Sequence, residues 1–470
     1  MKITFWGAAQ TTTGSFHLLE NKGVKVALDC GLFQGRRSEF YERNSSFPVP
    51  PADVATVLLS HAHIDHVGNL PNFVKQGFDG RVFATHATVD LARALLLDSA
   101  FIQQKDTEFV NKQRRKKGQE PVEPLYLVED AEKALELMVA IGYYKWFCFA
   151  DGICGKFLDA GHILGSAQME LDVRSENGRD HRLVFSGDIG RGGREILRDP
   201  EIPSEAETLI LESTYGNRVS PPTANLREEL RELVARVAAR GGKTIIPAFS
   251  VGRTQEVVYQ LNNLFNEGAL PRIPIYVDSP LSANVTEVFR KHPECFNLAT
   301  LELLRRDEDA FGFSSLTYIR NVEESIALND HKGPCVIISS SGMCEAGRIL
   351  HHLRNSVHDK RNCVLFVGFQ AENTLGRRLV DGEKRVRIFG DDHVVNCEIK
   401  SLSGFSGHAD QNELHDYVFR VHARSGGMLR RIFLVHGEPE AQEPFAQWIR
   451  DHFKDVKVVI PKRGETFTIE

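Results

Sequence analysis

A layered α/β architecture of more than one domain is what this sequence predicts, and three observations carry that expectation. Short apolar runs rich in β-branched residues recur along the chain, and helix-period patterns lie between them. No linker rich in Pro, Ser or Gly divides the chain into two halves. Apolar runs this short suit buried strands, and their alternation with helices reads as α/β. A length of 470 residues exceeds what one hydrophobic core usually organises, so two domains are expected. Without a linker, one of them should be inserted into the other.

The elements follow in order. Met1 to Gln10 reads as a short strand entering a Gly/Ala turn. Further strands are expected at Val24 to Leu28, Val54 to Leu59, Leu183 to Phe185, Thr208 to Leu211 and Thr244 to Ile246. The series continues with Ile273 to Val277, Cys335 to Ile338, Cys363 to Val367 and Ile432 to Val435. One helical face is expected from Ala131, Ala134, Leu135 and Met138, and another from Leu226, Leu230, Leu233, Val234 and Val237, whose spacing is that of an amphipathic helix. Glu345 to Leu353 carries the same pattern. The run KQRRKKG at residues 112–118 is strongly basic. Its ordinary reading is a solvated loop or helix end, and it could steer phosphate only if folding set it beside the active cleft.

Composition excludes several classes. Hydrophobic and charged shares of 42% and 26% fit a globular chain rather than a disordered or fibrous one. The net charge of -6 rules out a wholly basic coat, although basic groups can still line a cleft and carboxylate-bound cations would offset the formal charge. No apolar run approaches the length that spans a bilayer, and the start lacks the apolar core of a signal peptide. The cysteines (Cys30, Cys148, Cys154, Cys295, Cys335, Cys344, Cys363, Cys397) are scattered without Cys-x-x-Cys spacing. Reduced, mostly buried thiols in a cytoplasmic protein are therefore expected.

The sharpest signal is SHAHIDH at residues 60–66, directly after an expected strand. Imidazole and carboxylate groups suit zinc, and crowding His61, His63, Asp65 and His66 into one turn is costly without a cation. Alternation lets His61 and His63 face one ion while Asp65 and His66 face a second. A closed structural zinc would recruit cysteines, and none is near, so an open catalytic site is expected.

This cluster resembles the His-x-His-x-Asp-His signature of the metallo-β-lactamase superfamily, and other segments match that family in order. VALDCG at 26–31 is similar to the aspartate, here Asp29, that braces the metal loop. AGHILGS at 160–166 supplies His162, and FSGDIG at 185–190 supplies Asp188, the carboxylate that bridges both metals. LESTYGN at 211–217, GFSGHAD at 404–410 and FLVHGE at 433–438 resemble motifs A, B and C of the β-CASP group, the nucleic-acid branch. The resemblance covers essentially the whole chain.

It implies a four-layer αββα metallo-β-lactamase sandwich formed by residues 1–212 and 397–470, with an α/β β-CASP cap over 213–396. It also implies two zinc ions, with manganese able to take their place. His61, His63, His162 and Asp188 would hold the first ion, and Asp65, His66, Asp188 and His436 the second. Asp65, Glu212 and His408 would be catalytic, with Glu212 holding the ring of the general acid His408. The expected reaction is two-metal hydrolysis of RNA, leaving 5′-phosphate and 3′-hydroxyl ends. Histidine at position 436 favours RNA over DNA. Two turns in the cap suit phosphate, because free amides and hydroxyls gather at helix starts: Ser250 and Arg253 in one, Ser339, Ser340, Ser341 and Gly342 in the other. Residues 368–378 resemble a further cap element, read as partly structural. The group's similarity to the endonuclease subunit of the eukaryotic cleavage and polyadenylation complex, and a chain that ends soon after motif C, favour internal cutting. A 5′-exoribonuclease, a DNA nuclease and a small-ester hydrolase stay open, as does a homodimer.

Overall fold

The computed structural model describes residues 1–35, 37–175, 178–220, 225–306 and 309–469. These form two compact units. The first joins Met1–Val219 to His408–Glu470, and the second is the intervening Ser220–Gly407.

Two seven-stranded sheets build the first unit. One contains β1 (Lys2–Phe5), β2 (His17–Asn21), β3 (Val24–Leu28), β4 (Thr56–Leu58), β5 (Arg81–Ala84), β6 (Met138–Ala140) and, at its edge beside β1, β22 (Glu465–Thr468). The other runs through β7 (Phe147–Ala150), β8 (Ile153–Asp159), β9 (Ala167–Arg174), β10 (Asp180–Phe185) and β11 (Thr208–Glu212). It is completed by β20 (Arg431–Val435) and β21 (Lys457–Val459) from the far end of the chain. The facing sheets bury Ile3, Phe5, Leu19, Val26 and Leu58 against Phe157, Met169, Phe185, Ile210 and Phe433 in one core. On the outer face of the second sheet, α13 (Gln411–Arg424) and α14 (Pro439–His452) pack Leu414, Val418, Phe445 and Ile449 onto Val184, Leu209 and Leu434. Helices α1 (Arg37–Asn44), α2 (Ile64–Val67), α3 (Leu70–Lys75), α4 (His86–Lys116) and α5 (Val128–Glu136) belong to the first half of the unit. The α/β metallo-β-lactamase fold follows directly.

Strand direction positions the chemistry. β3 and β4 are parallel neighbours, as are β10, β11 and β20. Glu212 ends β11, and the loops that leave these strands carry Asp29, the 60–66 segment, Asp188 and His436, all at carboxyl ends, where α/β sheets concentrate ligand sites.

The second unit has a six-stranded parallel sheet of β12 (Lys243–Pro247), β13 (Ile275–Asp278), β14 (Leu316–Ile319), β15 (Cys335–Ser339), β16 (Cys363–Phe366) and β19 (Glu398–Ser401), in the order β14-β13-β15-β12-β16-β19. A hairpin of β17 (Arg385–Ile388) and β18 (Asp391–Val394) accompanies it. Its helices are α6 (Leu226–Ala239), α7 (Arg253–Asn266), α8 (Pro280–Lys291), α9 (Leu298–Arg305), α10 (Val322–Ala327), α11 (Ile349–Ser356) and α12 (Leu375–Val380). The expected apolar face of α6 is wholly buried. Pairing of β19 with β16 keeps Glu398–Ser401 in this unit.

Three local expectations are corrected. Met138 opens β6 instead of continuing α5, because parallel pairing with β5 competes successfully for its backbone. Residues 345–347 form a turn, and α11 starts only at Ile349; Gly347 at φ +82° cannot belong to a right-handed helix. Cys148 and Cys154 are not reduced thiols but a disulfide, since they face each other across the β7–β8 hairpin with Cα atoms 4.0 Å apart. The other six cysteines are buried and free, as expected.

Candidate metal centre

Asp29 follows β3 in a left-handed conformation, φ +62°, which an Asp tolerates better than most residues. Its buried carboxylate accepts from Ser60 N at 2.8 Å, Ser60 Oγ at 3.0 Å and Ser15 Oγ at 3.0 Å, and lies 2.7 Å from His66 Nδ1. The carboxylate thereby keeps the proton of His66 on Nδ1 and turns the Nε2 lone pair inward, the usual way a ligand imidazole is oriented. Gly31 is required beside it, because a Cβ there would sit 1.6 Å from the Asp65 carbonyl oxygen.

Three histidine nitrogens converge on one side. His61 Nε2 and His162 Nε2 lie 3.1 and 3.2 Å from His63 Nδ1. Zinc–nitrogen bonds of about 2.0–2.1 Å in a tetrahedron put neighbouring ligand atoms about 3.4 Å apart, so this spacing is that of a ligand shell. On the other side, His436 Nε2 lies 3.2 Å from His66 Nε2 and 3.3 Å from Asp65 Oδ2. Asp188 Oδ2 belongs to both groups: it is 3.5 Å from His61 Nε2, 3.6 Å from His162 Nε2 and 3.4 Å from His66 Nε2. The geometry groups His61, His63, His162 and Asp188 as one candidate ligand set, and Asp65, His66 and His436 as a second.

Electrostatics fit the same chemistry. Burial depresses the pKa of His61 well below the ordinary value and that of His63 to about 4, leaving both neutral with lone pairs to donate. Burial raises Asp188, but the His436, His66 and His61 imidazoles outweigh it and hold the carboxyl well below the usual range. Asp188 Oδ1 is buried and accepts no hydrogen bond among the described residues. An ionised, incompletely satisfied carboxylate in such a place is costly unless a cation answers it. The donor set therefore suits zinc.

With this geometry in view, the relatives decide the family. The chain is 36% identical to Ribonuclease TTHA0252 of Thermus thermophilus over 94% of both chains. It is also 30% identical to an RNase J-like protein of Methanocaldococcus jannaschii, over 99% of each chain. The chain belongs to the β-CASP ribonucleases of the metallo-β-lactamase superfamily. Residues 11–138 match the model of the metallo-β-lactamase superfamily and 254–379 that of the Beta-Casp domain. Residues 392–461 match a Zn-dependent metallo-hydrolase RNA specificity domain. The transcription termination factor FttA of Cenarchaeum symbiosum is 30% identical over 97% of this chain and 69% of its own. A crystal structure of a protein of unknown function from Enterococcus faecalis superposes with a TM-score of 0.55 at 12% identity, covering 100% of this chain and 99% of the other, and shares the fold. The activity is accordingly zinc-dependent hydrolysis of RNA.

Beside the candidate ligand atoms of this ribonuclease stand Glu212 and His408. Glu212 ends β11 fully buried, accepts from Ile189 N at 2.6 Å, and places both carboxylate oxygens 3.2 Å from His408 Nδ1. Burial alone would lower the pKa of His408, but Glu212, followed by Asp188, raises it to about 10. His408 Nδ1 is also 3.9 Å from Asp188 Oδ2. His436 follows β20 at φ +48°, tied down by Ala8 O, which its amide reaches at 2.7 Å.

The expected phosphate turns lie in the second unit, at the carboxyl ends of the adjacent parallel strands β12 and β15. Ser339 is buried and donates to Asp278 O at 2.8 Å, so its hydroxyl is committed to the fold. Ser341 Oγ accepts from Glu345 N at 3.1 Å, and Ser340 Oγ is 3.0 Å from Ser279 Oγ. Gly342 packs against Phe249, whose ring a Cβ would approach to 2.9 Å. Arg253 opens α7, where it donates to Glu256 at 2.7 Å, one residue beyond the left-handed Gly252 and three beyond Ser250. Sequence reasoning missed the groups that hold the site: Ser15, Ser60, Thr214, which bonds His436 Nδ1 at 3.0 Å, and the Ile189 amide. Small hydroxyls and main-chain donors carry no motif of their own.

Proposed function

We propose that this protein cuts RNA internally through a centre holding two zinc ions, releasing 5′-phosphate and 3′-hydroxyl ends. The reading rests chiefly on one observation, the convergence of six side chains on Asp188 and its surroundings. His61, His63, His162 and Asp188 would hold one ion, and Asp65, His66 and His436, sharing Asp188, the other; manganese ions fit the same donors. A pair of such cations would activate water and neutralise charge on the phosphate.

The chain's own part is to orient and to move a proton. Asp29 fixes His66 so that Nε2 faces inward. Glu212 occupies Nδ1 of His408, leaving Nε2 as the atom that can protonate the departing 3′-oxygen as general acid. Glu212, followed by Asp188, raises the pKa of the ring and so favours its protonated form. Asp65 joins Glu212 and His408 as the third catalytic residue, acting as a ligand beside the reacting phosphate. In the cap, Ser250, Arg253, Ser340, Ser341 and Gly342 would present amides and polar side chains to the RNA backbone, with Ser339 supporting the turn from within through its bond to Asp278 O; such contacts position a strand without reading its bases. Internal cutting is supported by the resemblance to the cleavage-complex endonuclease. A cytoplasmic setting draws support from the six buried free thiols, against which stands the Cys148–Cys154 disulfide; among the described residues, no helix is long and apolar enough to cross a membrane. A homodimer would leave this centre complete within each chain.

RNA labelled at either end, in 5′-hydroxyl and 5′-monophosphate forms, tests the reading together with elemental analysis. Internal fragments and two zincs per chain are expected. Mononucleotides released only from a phosphorylated 5′ end would replace it with exonuclease action, and a single zinc would overturn the two-ion centre.

A further inference from the structure

Helix α4 is 31 residues long, far more than its packing needs. Its first half is anchored near the metal centre: Ala87, Leu91, Ala92, Leu95 and Leu96 are buried, and Thr85 and Thr88 donate to Gly165 O, in the loop that carries His162, at 2.6 and 2.9 Å. Beyond Ala100, Thr107 is the one helix residue described as buried. The inner side of this second half is held by the returning chain, through Asn111 with Val122 at 2.9 and 2.8 Å and Arg114 Nε with Glu120 O at 2.6 Å. Its outer side faces solvent.

That outer side has a composition unlike a solvated helix face. At 100° per residue, Phe101, Ile102, Lys105, Phe109, Lys112, Gln113 and Lys116 fall within a single arc of about 120°. Phe101, Ile102 and Phe109 are 54%, 48% and 63% exposed. Phenylalanine and lysine alternate along the face as Phe101, Lys105, Phe109 and Lys112, at steps of four, four and three residues, with Lys105 Nζ over the Phe101 ring at 5.8 Å. Lys105 also meets Glu108 at 2.9 Å, whereas no carboxylate among the described residues pairs with Lys112 or Lys116. Lysines near a helix end complement its dipole, which accounts for Lys112 and Lys116 but not for two exposed phenyl rings on the same face.

We propose that this face of α4 is an accessory binding surface for single-stranded RNA, on which Phe101 and Phe109 stack bases while Lys105, Lys112 and Lys116 meet phosphates. Rings for the bases and cations for the backbone are what sequence-independent binding of a single strand uses. The proposal rests on the ribonuclease reading for its ligand. A second copy of the chain is the poorer occupant, because a two-fold pairing of this face would bring the lysine rows together. From Thr88, a rise of 1.5 Å per residue puts Phe101 about 20 Å and Lys116 about 40 Å along the helix. The surface would therefore grip RNA well away from the bond being cut, giving the enzyme a preference for long substrates.

Full-length, zinc-loaded protein carrying F101A and F109A together, and separately K112E and K116E, tests this. Steady-state cleavage would be measured on unstructured RNAs of about forty and about five nucleotides, lengths that span and fall short of the helix at a few ångströms per residue. Binding of the long RNA would be followed by fluorescence anisotropy across a salt series. Removing the rings should raise KM for the long RNA about 25-fold or more, given about a fivefold or larger loss for each of two stacked bases, with kcat and the short substrate unchanged. Removing the lysines should flatten the salt dependence by a slope of about 1.4, from about 0.7 for each phosphate contact on a single strand. Equal KM changes on both RNAs, or none, overturn the proposal. So does a ring-less variant that loses self-association while keeping its affinity for long RNA. Failure of the unmodified protein to cut any RNA would instead strike at the ribonuclease reading, and anisotropy would still report on the surface.

Discussion

Replacing Asp29 by Asn tests how much of the metal centre depends on one buried carboxylate that touches no ion. Asn is the informative choice, because it tolerates the left-handed backbone that Asp29 adopts at φ +62° and preserves the side chain's volume. Its carbonyl can still accept from Ser60 N, now 2.8 Å from Oδ1. The amide group would replace Oδ2, to which Ser15, Ser60 and His66 Nδ1 all turn, at 3.0, 3.0 and 2.7 Å. The two hydroxyls can rotate and accept. The imidazole can answer an amide donor only by moving its proton to Nε2, the atom that faces Asp188 at 3.4 Å. A wrong tautomer at a ligand position costs the ligand. Loss of such a supporting contact lowers metal affinity about 10–100-fold, or about 1.4–2.7 kcal/mol at 1.36 kcal/mol per decade. Competition for zinc with a chromophoric chelator at constant pH reads this directly, with circular dichroism to show that the apo variant is folded. Zinc affinity within twofold of the unmodified protein would refute the argument that Asp29 sets the tautomer of His66.

Three further outcomes follow from the same geometry. His408→Ala should lower turnover about 10²–10⁴-fold, the usual contribution of a general acid, with zinc content unchanged by elemental analysis; equal loss of zinc would make His408 a ligand instead. Gly190→Ala would set a Cβ 1.8 Å from Gly161 O, forcing apart the loops that carry His162 and Asp188, so bound zinc should fall at least tenfold, on the scale of a lost supporting contact, although neither ligand is altered. His17→Phe bears on stability: His17 is buried in the core with neither ring nitrogen bonded, and burial, ahead of His66 and His436, lowers its pKa to about 3. A depressed pKa means stability that is whole above the ordinary value near 6.5 and is lost as pH falls toward about 3, at about 1.4 kcal/mol per pH unit. Thermal unfolding of the apo proteins should therefore favour the Phe variant by about 2 kcal/mol more at pH 5 than at pH 7.5, and a pH-independent difference would contradict the depressed titration of His17.

What could be read before folding was whatever repeats locally. The 60–66 segment packs four donors into one turn, and the strands that precede Asp29, Asp188, Glu212 and His436 are short apolar runs with sharp ends. Long-range pairing was less legible. β20 joins β11 from more than two hundred residues away, and its arrival beside Glu212 was implied by family motifs rather than by any local pattern. The Cys148–Cys154 bridge was hidden because cross-strand partners at a hairpin need no fixed spacing. Most of α4 escaped notice except for its basic end. Phe101, Ile102 and Phe109 lie on the solvent side, which blurs the apolar stripe by which a helix is recognised.

That Asp188 contributes to both ligand groups has a consequence for how the centre fills, on the two-ion reading. Its Oδ2 stands 3.4–3.6 Å from nitrogens of both groups, and its Oδ1 accepts no hydrogen bond. The first cation to arrive meets an ionised, incompletely satisfied carboxylate in a buried place, where charge interacts strongly. It finds three histidines if it enters beside His61, His63 and His162, but two histidines and the partly exposed Asp65 if it enters on the other side. The second cation meets a carboxylate already neutralised and a like charge nearby. On that reading unequal affinities would follow from the shared atom itself, with the three-histidine side the tighter on grounds of burial and ligand count. The same atom also links the chemistry to the ligands, since Asp188 Oδ2 is 3.9 Å from His408 Nδ1. Cations held by Asp188 would offset negative charge beside the proton donor and so lower the pKa of His408 from its raised value, toward the range in which a general acid releases its proton.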